Sequence, residues 1–67
     1  MDLSQDITMR SKRITTHPQA INYYCIEPNN LASYLIIVSL LKNHNVFYID
    51  NIKDNRIFAK KTDLDKL

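Results

Sequence analysis

Residues 31–41 read LASYLIIVSLL, and nine of these eleven residues are apolar. The run is too short to cross a bilayer, which takes about 20 apolar residues in succession. It reads instead as a helix of a folded domain, covered on nearly every side. On a helical wheel Leu31, Tyr34, Leu35, Ile37, Val38 and Leu41 make a broad apolar side, which Ile36 and Leu40 widen. Ala32, Ser39 and Asn43 form a narrow, weakly polar strip. Asn29 or Asn30 suits the N-cap. The helix should stop within 43–45, where Lys42 and His44 sit near its negative end and an asparagine takes the left-handed position that glycine usually fills.

Working outward, Ile7 and Met9 alternate with Thr8 and Arg10, and Ile14 with two threonines continues a β-prone run, which predicts a strand over 7–15. Pro18 fixes its own φ and keeps His17 extended, so a turn is expected near 16–19. Ile21, Tyr23, Tyr24, Cys25 and Ile26 predict a second strand over 21–27. Beyond the helix, Val46, Phe47, Tyr48 and Ile49 read as a third strand. Asp54-Asn55 reads as a turn pair, and residues 56–59 as a fourth strand. Residues 1–5 and 62–67 are expected to fray. The outcome is a single small α+β domain over 1–67, of ββαββ order, with antiparallel strands packed on one largely buried helix.

A chain of 67 residues buries only about 60% of the surface its unfolded form exposes, and such a core rarely supplies more than about 3–5 kcal/mol. Further support is expected from association. Cys25 is the only cysteine, so no disulfide can form within the chain. Cys25, His17 and His44 lack the close pair spacing of zinc sites, and neither a metal nor a cofactor is expected. The opening MDLSQD carries two acids and no apolar run, which fits neither a signal nor a transit segment. Together with the lone cysteine this predicts a cytoplasmic protein. Nine isoleucines, six lysines and seven asparagines, with no glycine, suggest an AT-rich source such as a phage or plasmid.

No catalytic constellation assembles from the sequence. Cys25 sits in an apolar run and reads as a packing residue, the seven acids are scattered, and a phosphate loop needs glycine. A non-enzyme without a small-molecule substrate is expected. Arg10, Lys12, Arg13, Lys60 and Lys61 hold five of the nine cationic side chains and are the candidate nucleic-acid contacts. Strand alternation divides them between faces, and Asp6, Asp63 and Asp65 lie close in sequence, so only weak, generic binding to duplex DNA is expected. Tyr23, Tyr24, Phe47, Tyr48 and Phe58 offer a stacking platform for single-stranded bases, although strand aromatics more often serve cores and protein interfaces.

The helix followed by a hairpin over 31–61, with 50–55 as the wing, resembles the last part of a winged-helix domain. That resemblance implies DNA binding by the helix. This helix has almost no polar side chains for base edges, and too few residues precede it for the remaining helices. The leading expectation is a non-enzymatic protein-binding regulator or inhibitor. It would act as a homodimer or on a larger host protein, with Tyr34, Ile36, Ile37, Leu40 and Leu41 in the interface. A dimeric nucleic-acid-binding regulator using the basic hairpin is the alternative.

Overall fold

The computed structural model describes residues 3–67. The chain runs α1 (Leu3–Met9), β1 (Ser11–His17), β2 (Ala20–Pro28), α2 (Leu31–Asn43), β3 (Tyr48–Asn51), β4 (Arg56–Lys60) and α3 (Lys61–Asp65). The four strands form one antiparallel sheet of order β1-β2-β4-β3. The fold is thus a small α+β domain whose ββαββ heart follows the expected order, with a helix added at either end.

Local chemistry sets both ends of α2. Asn30 is extended, and its side chain accepts a 2.9 Å bond from the Ser33 backbone N–H, satisfying one of the donors that a helix start leaves unpaired. At the other end Asn45 adopts φ 56°. Its N–H donates to the Lys42 carbonyl, while the Val46 N–H donates to the Leu41 carbonyl at 2.9 Å. This is the paired-bond stop in which a left-handed residue reverses the chain. Val46 and Leu41, joined by that bond, are both buried in the core.

Because strand side chains alternate, Tyr24, Ile26 and Pro28 of β2 share one face with Ile57 and Ala59 of β4, their partners in register. Tyr34, Ile37 and Leu41 of α2 pack on that face, as do Ile7 of α1 and Leu64 of α3. All three helices therefore lie on the same side of the sheet. The Tyr34 hydroxyl donates to the Asp50 carboxylate, tying α2 to β3.

The structure corrects the expected strand over 7–15 and the start of the third strand. Residues 7–15 are not one strand: α1 occupies the first part and β1 starts at Ser11. The alternation of Ile7 and Met9 was misleading, since Ile7 is buried while Met9 is exposed, and Leu3 lies one helical turn before Ile7 and packs against the same cluster. The i, i+4 pair of Asp6 and Arg10 at 2.8 Å also suits a helix. Of residues 1–5, expected to fray, Leu3, Ser4 and Gln5 belong to α1, and Met1 and Asp2 lie outside the described residues. Residues 61–65 form α3, held by Leu64, half-buried against the core, and by Asp63, whose carboxylate accepts from the Phe47 N–H at 3.0 Å. The third strand begins at Tyr48, two residues later than expected, because Val46 completes the helix stop.

Two outcomes follow from this framework. Asn45→Ala should lower stability by about 1–2 kcal/mol, because a Cβ without the short polar side chain opposes positive φ, while Asn45→Gly should be neutral or better in denaturant titrations. The Tyr34 phenol is pushed well above its ordinary 10.0, first by burial, then by its bond to Asp50 and by negative charge nearby. A raised folded-state value favours the neutral phenol. Its contribution is therefore complete below about pH 10 and is lost above it, as the unfolded chain ionises first. The denaturation midpoint should stay level up to that pH and then fall, and Tyr34→Phe should make the fall shallower.

Candidate functional site

The face of the sheet opposite the helices is open. Alternation places Tyr23, Cys25 and Glu27 of β2 there, with Arg56, Phe58 and Lys60 of β4, Ile49 and Asn51 of β3, and Arg13 and Thr15 of β1. Register aligns Thr15, Cys25, Phe58 and Ile49 in one row across all four strands. Arg13 stands opposite Glu27, and Lys60 opposite Tyr23. Arg56 approaches Glu27 at 4.0 Å, a loose pair between partly solvated groups.

Phe47 completes this face at the head of β3. Its carbonyl accepts from the Lys60 N–H at 2.9 Å and its N–H donates to Asp63, so its backbone is pinned at both polar groups. The side chain nevertheless stays 53% exposed. The Tyr23 and Phe47 rings lie 6.3 Å apart at 59°, a tilted aromatic pair. Ile49, 54% exposed, continues the apolar strip. Cys25 sits beneath it, buried at 5% exposure between Thr15 and Phe58.

A second apolar surface lies on the outer side of α2, where Leu31, Leu35 and Ile36 are 59%, 57% and 38% exposed. A groove of about 560 Å³ runs between α1, β1 and α3, floored by Ile7, Ile14, Tyr24 and Leu64. Three hydroxyls along it are already committed within the chain. Thr8 donates to the Ser4 carbonyl, Ser11 to the Ile7 carbonyl, and Tyr24 to Asp65 at 2.7 Å. That last bond, with partial burial and the Asp65 charge, raises the Tyr24 pKa, so the phenol is a neutral donor at physiological pH. The groove thus offers a ligand fewer polar handles than its size suggests.

The five expected interface residues divide. Tyr34, Ile37 and Leu41 are turned into the chain's own core, Leu40 is half-buried, and Ile36 faces outward. Leu31 and Leu35, placed by the wheel on the covered side, are exposed instead, because the sheet meets only the stripe through Tyr34, Ile37 and Leu41. The five basic residues do not converge either. Arg10 is paired with Asp6 beside α1, Lys12 occupies the bulge of β1, and Lys61 lies over the Tyr24 ring at 5.5 Å on the helix side. Arg13 and Lys60 alone reach the open face, where Arg56 joins them.

The sequence signal for Arg56, which is not among the five candidates, is its spacing of two and four from Phe58 and Lys60 in one strand. The aromatics sort similarly. Tyr24 and Tyr48 pack toward the core, while Tyr23, Phe47 and Phe58 belong to the open face. Among the described residues no group of three or more His, Cys, Asp or Glu side chains is placed to hold a metal ion, and no helix is long and apolar enough to cross a membrane. The side chain of His17 lies outside the described part. Comparison with protein families, curated proteins and solved structures finds no match to this chain.

Burial of Cys25 predicts an unreactive thiol. Labelling of the native protein by a thiol reagent should run far slower than in denaturant, and Cys25→Val should fold with its stability changed by less than about 1.5 kcal/mol. Rapid native labelling would place the sulfur at the surface instead.

Proposed function

We propose that the protein is a non-enzymatic protein-binding regulator whose interaction surface is the outer face of α2, and that this surface pairs with a second copy of the chain. The observation that carries the reading is the exposed, uncharged stripe of Leu31, Leu35 and Ile36 on a helix with no charged residue before Lys42. A two-fold interface sets the same patch of each copy against itself, so any charge on it meets its own kind near the axis. The outer face of α2 avoids that penalty. The open sheet face does not, since Arg13, Arg56 and Lys60 outnumber Glu27 there.

Association also answers the problem of size. The core rests on one cluster of eight buried residues among those described, and burying more Leu and Ile surface adds roughly 25 cal/mol per Å² removed from water. A groove on a larger host protein, occluded by the same helix face, is the competing occupant.

Sedimentation equilibrium at micromolar concentration should give twice the 7.9 kDa chain mass. Replacing Leu31→Gln and Leu35→Gln together should return the monomer, with the denaturation midpoint that the wild type reaches once diluted until it too is monomeric. A wild-type monomer would overturn the homodimer and leave a host protein as the occupant of α2. A double variant that still dimerises would move the interface elsewhere.

A further inference from the structure

From the open sheet face we infer a binding site for single-stranded nucleic acid, with Tyr23, Phe47 and Phe58 stacking on bases and Arg13, Arg56 and Lys60 holding phosphates. The inference goes beyond the homodimer and rests on different residues, on the far side of the sheet from α2.

Three observations define the ligand. The first is the rings. Phe47 projects 53% exposed from a backbone held by both Lys60 and Asp63, and Tyr23 lies beside it at 6.3 Å. Phe58 stands in the adjoining row between Cys25 and Ile49. Aromatic side chains kept at the surface on a fixed backbone lose little entropy when a flat ring lands on them, and any base presents such a ring. Four antiparallel strands about 4.8 Å apart give a platform roughly 14 Å wide, which suits the two or three bases that open sheets of this kind stack.

The second is charge. Three cations and one carboxylate occupy the face by register, and Arg56 is only loosely paired to that carboxylate. They border the apolar strip, with Lys60 at the Tyr23 end and Arg13 and Arg56 at the Glu27 end. A chain carrying one phosphate per nucleotide can lay bases on the rings while its backbone passes these cations. A second copy of this protein would bring cation against cation here.

The third is the apolar chemistry of the central row. In a duplex the bases are stacked on one another, their faces closed to a protein ring, and groove readout requires a projecting helix or ribbon with polar side chains at base edges. The apolar row Cys25, Phe58 and Ile49 supplies none. The site therefore selects unpaired strands.

The test is fluorescence anisotropy with short labelled oligothymidylate and oligouridylate, the matching duplex, and polyglutamate as a plain polyanion. The single strands should bind, with a log–log salt slope near about −2 for three phosphate contacts. Phe47→Ala and Tyr23→Ala should each weaken binding by about fivefold or more. Lys60→Ala should make the slope shallower by about 0.7, whereas Lys42→Ala, an equal loss of charge on α2, should change nothing. The paired Leu31→Gln and Leu35→Gln variant should retain binding per chain, which keeps this outcome separate from that of the dimer. Absence of single-strand binding at low salt, equal affinity for duplex or polyglutamate, or indifference to both ring variants would overturn the inference. Equal affinity for polyglutamate would point instead to an acidic protein surface.

Discussion

The seating of α2 on the two central strands is the contact on which the rest of the molecule depends. Tyr34, Ile37 and Leu41 meet Ile26, Ile57 and Ala59, and all six are almost wholly removed from water. β2 and β4 are neighbours only because the chain leaves β2, crosses above the sheet in α2, and returns with β3 and β4 so that β4 fits between. That crossover fixes β2 and β3 as parallel strands two positions apart, and the helix must span them. Its length is therefore controlled. The Asn30 cap and the left-handed Asn45 set both ends, and the bond from Val46 to Leu41 turns the chain back into the core.

The absence of glycine makes asparagine responsible for the backbone geometry that this crossover requires. Among the described residues, positive φ occurs at Asn45 and Asn55, both at 56°. Asn55 closes the turn between β3 and β4, and its side-chain amide donates to the Pro28 carbonyl at 2.9 Å, tying that turn to the end of β2. Asparagine tolerates the left-handed region at lower cost than other residues with a Cβ, and its side chain can then bond where glycine could not. The reversal at Asn55 thus gains a tether that glycine would lack.

The elements legible in the sequence were those whose signals are local. The bounds of α2 follow from an apolar run between asparagines, and β2 and β4 follow from aromatic and β-branched residues. The short helices were not legible, because seven and five residues are too few for propensity to decide. Ile7 and Leu64 make α1 and α3 by reaching a core that exists only once the sheet has formed. The face of each aromatic was equally hidden. Tyr23 and Tyr24 are adjacent in sequence, yet one lies on the open side and the other bonds Asp65 on the helix side. Only strand register separates them.

Placing all three helices on one side has a consequence that runs through the whole surface. A chain this short cannot build a third layer, so the second sheet face stays open, and the single long helix cannot bury its own back. Apolar residues accordingly remain exposed in two places separated by the thickness of the domain. What distinguishes these places is charge. The back of α2 is neutral along its length up to Lys42, which favours contact with an identical neutral surface. The sheet face gathers Arg13, Arg56 and Lys60 around its rings, which disfavours self-contact and favours an anion with flat apolar parts. Two apolar surfaces of similar origin thus favour different kinds of contact through the charge of the residues beside them, and a protein that paired through one would leave the other facing outward on both copies.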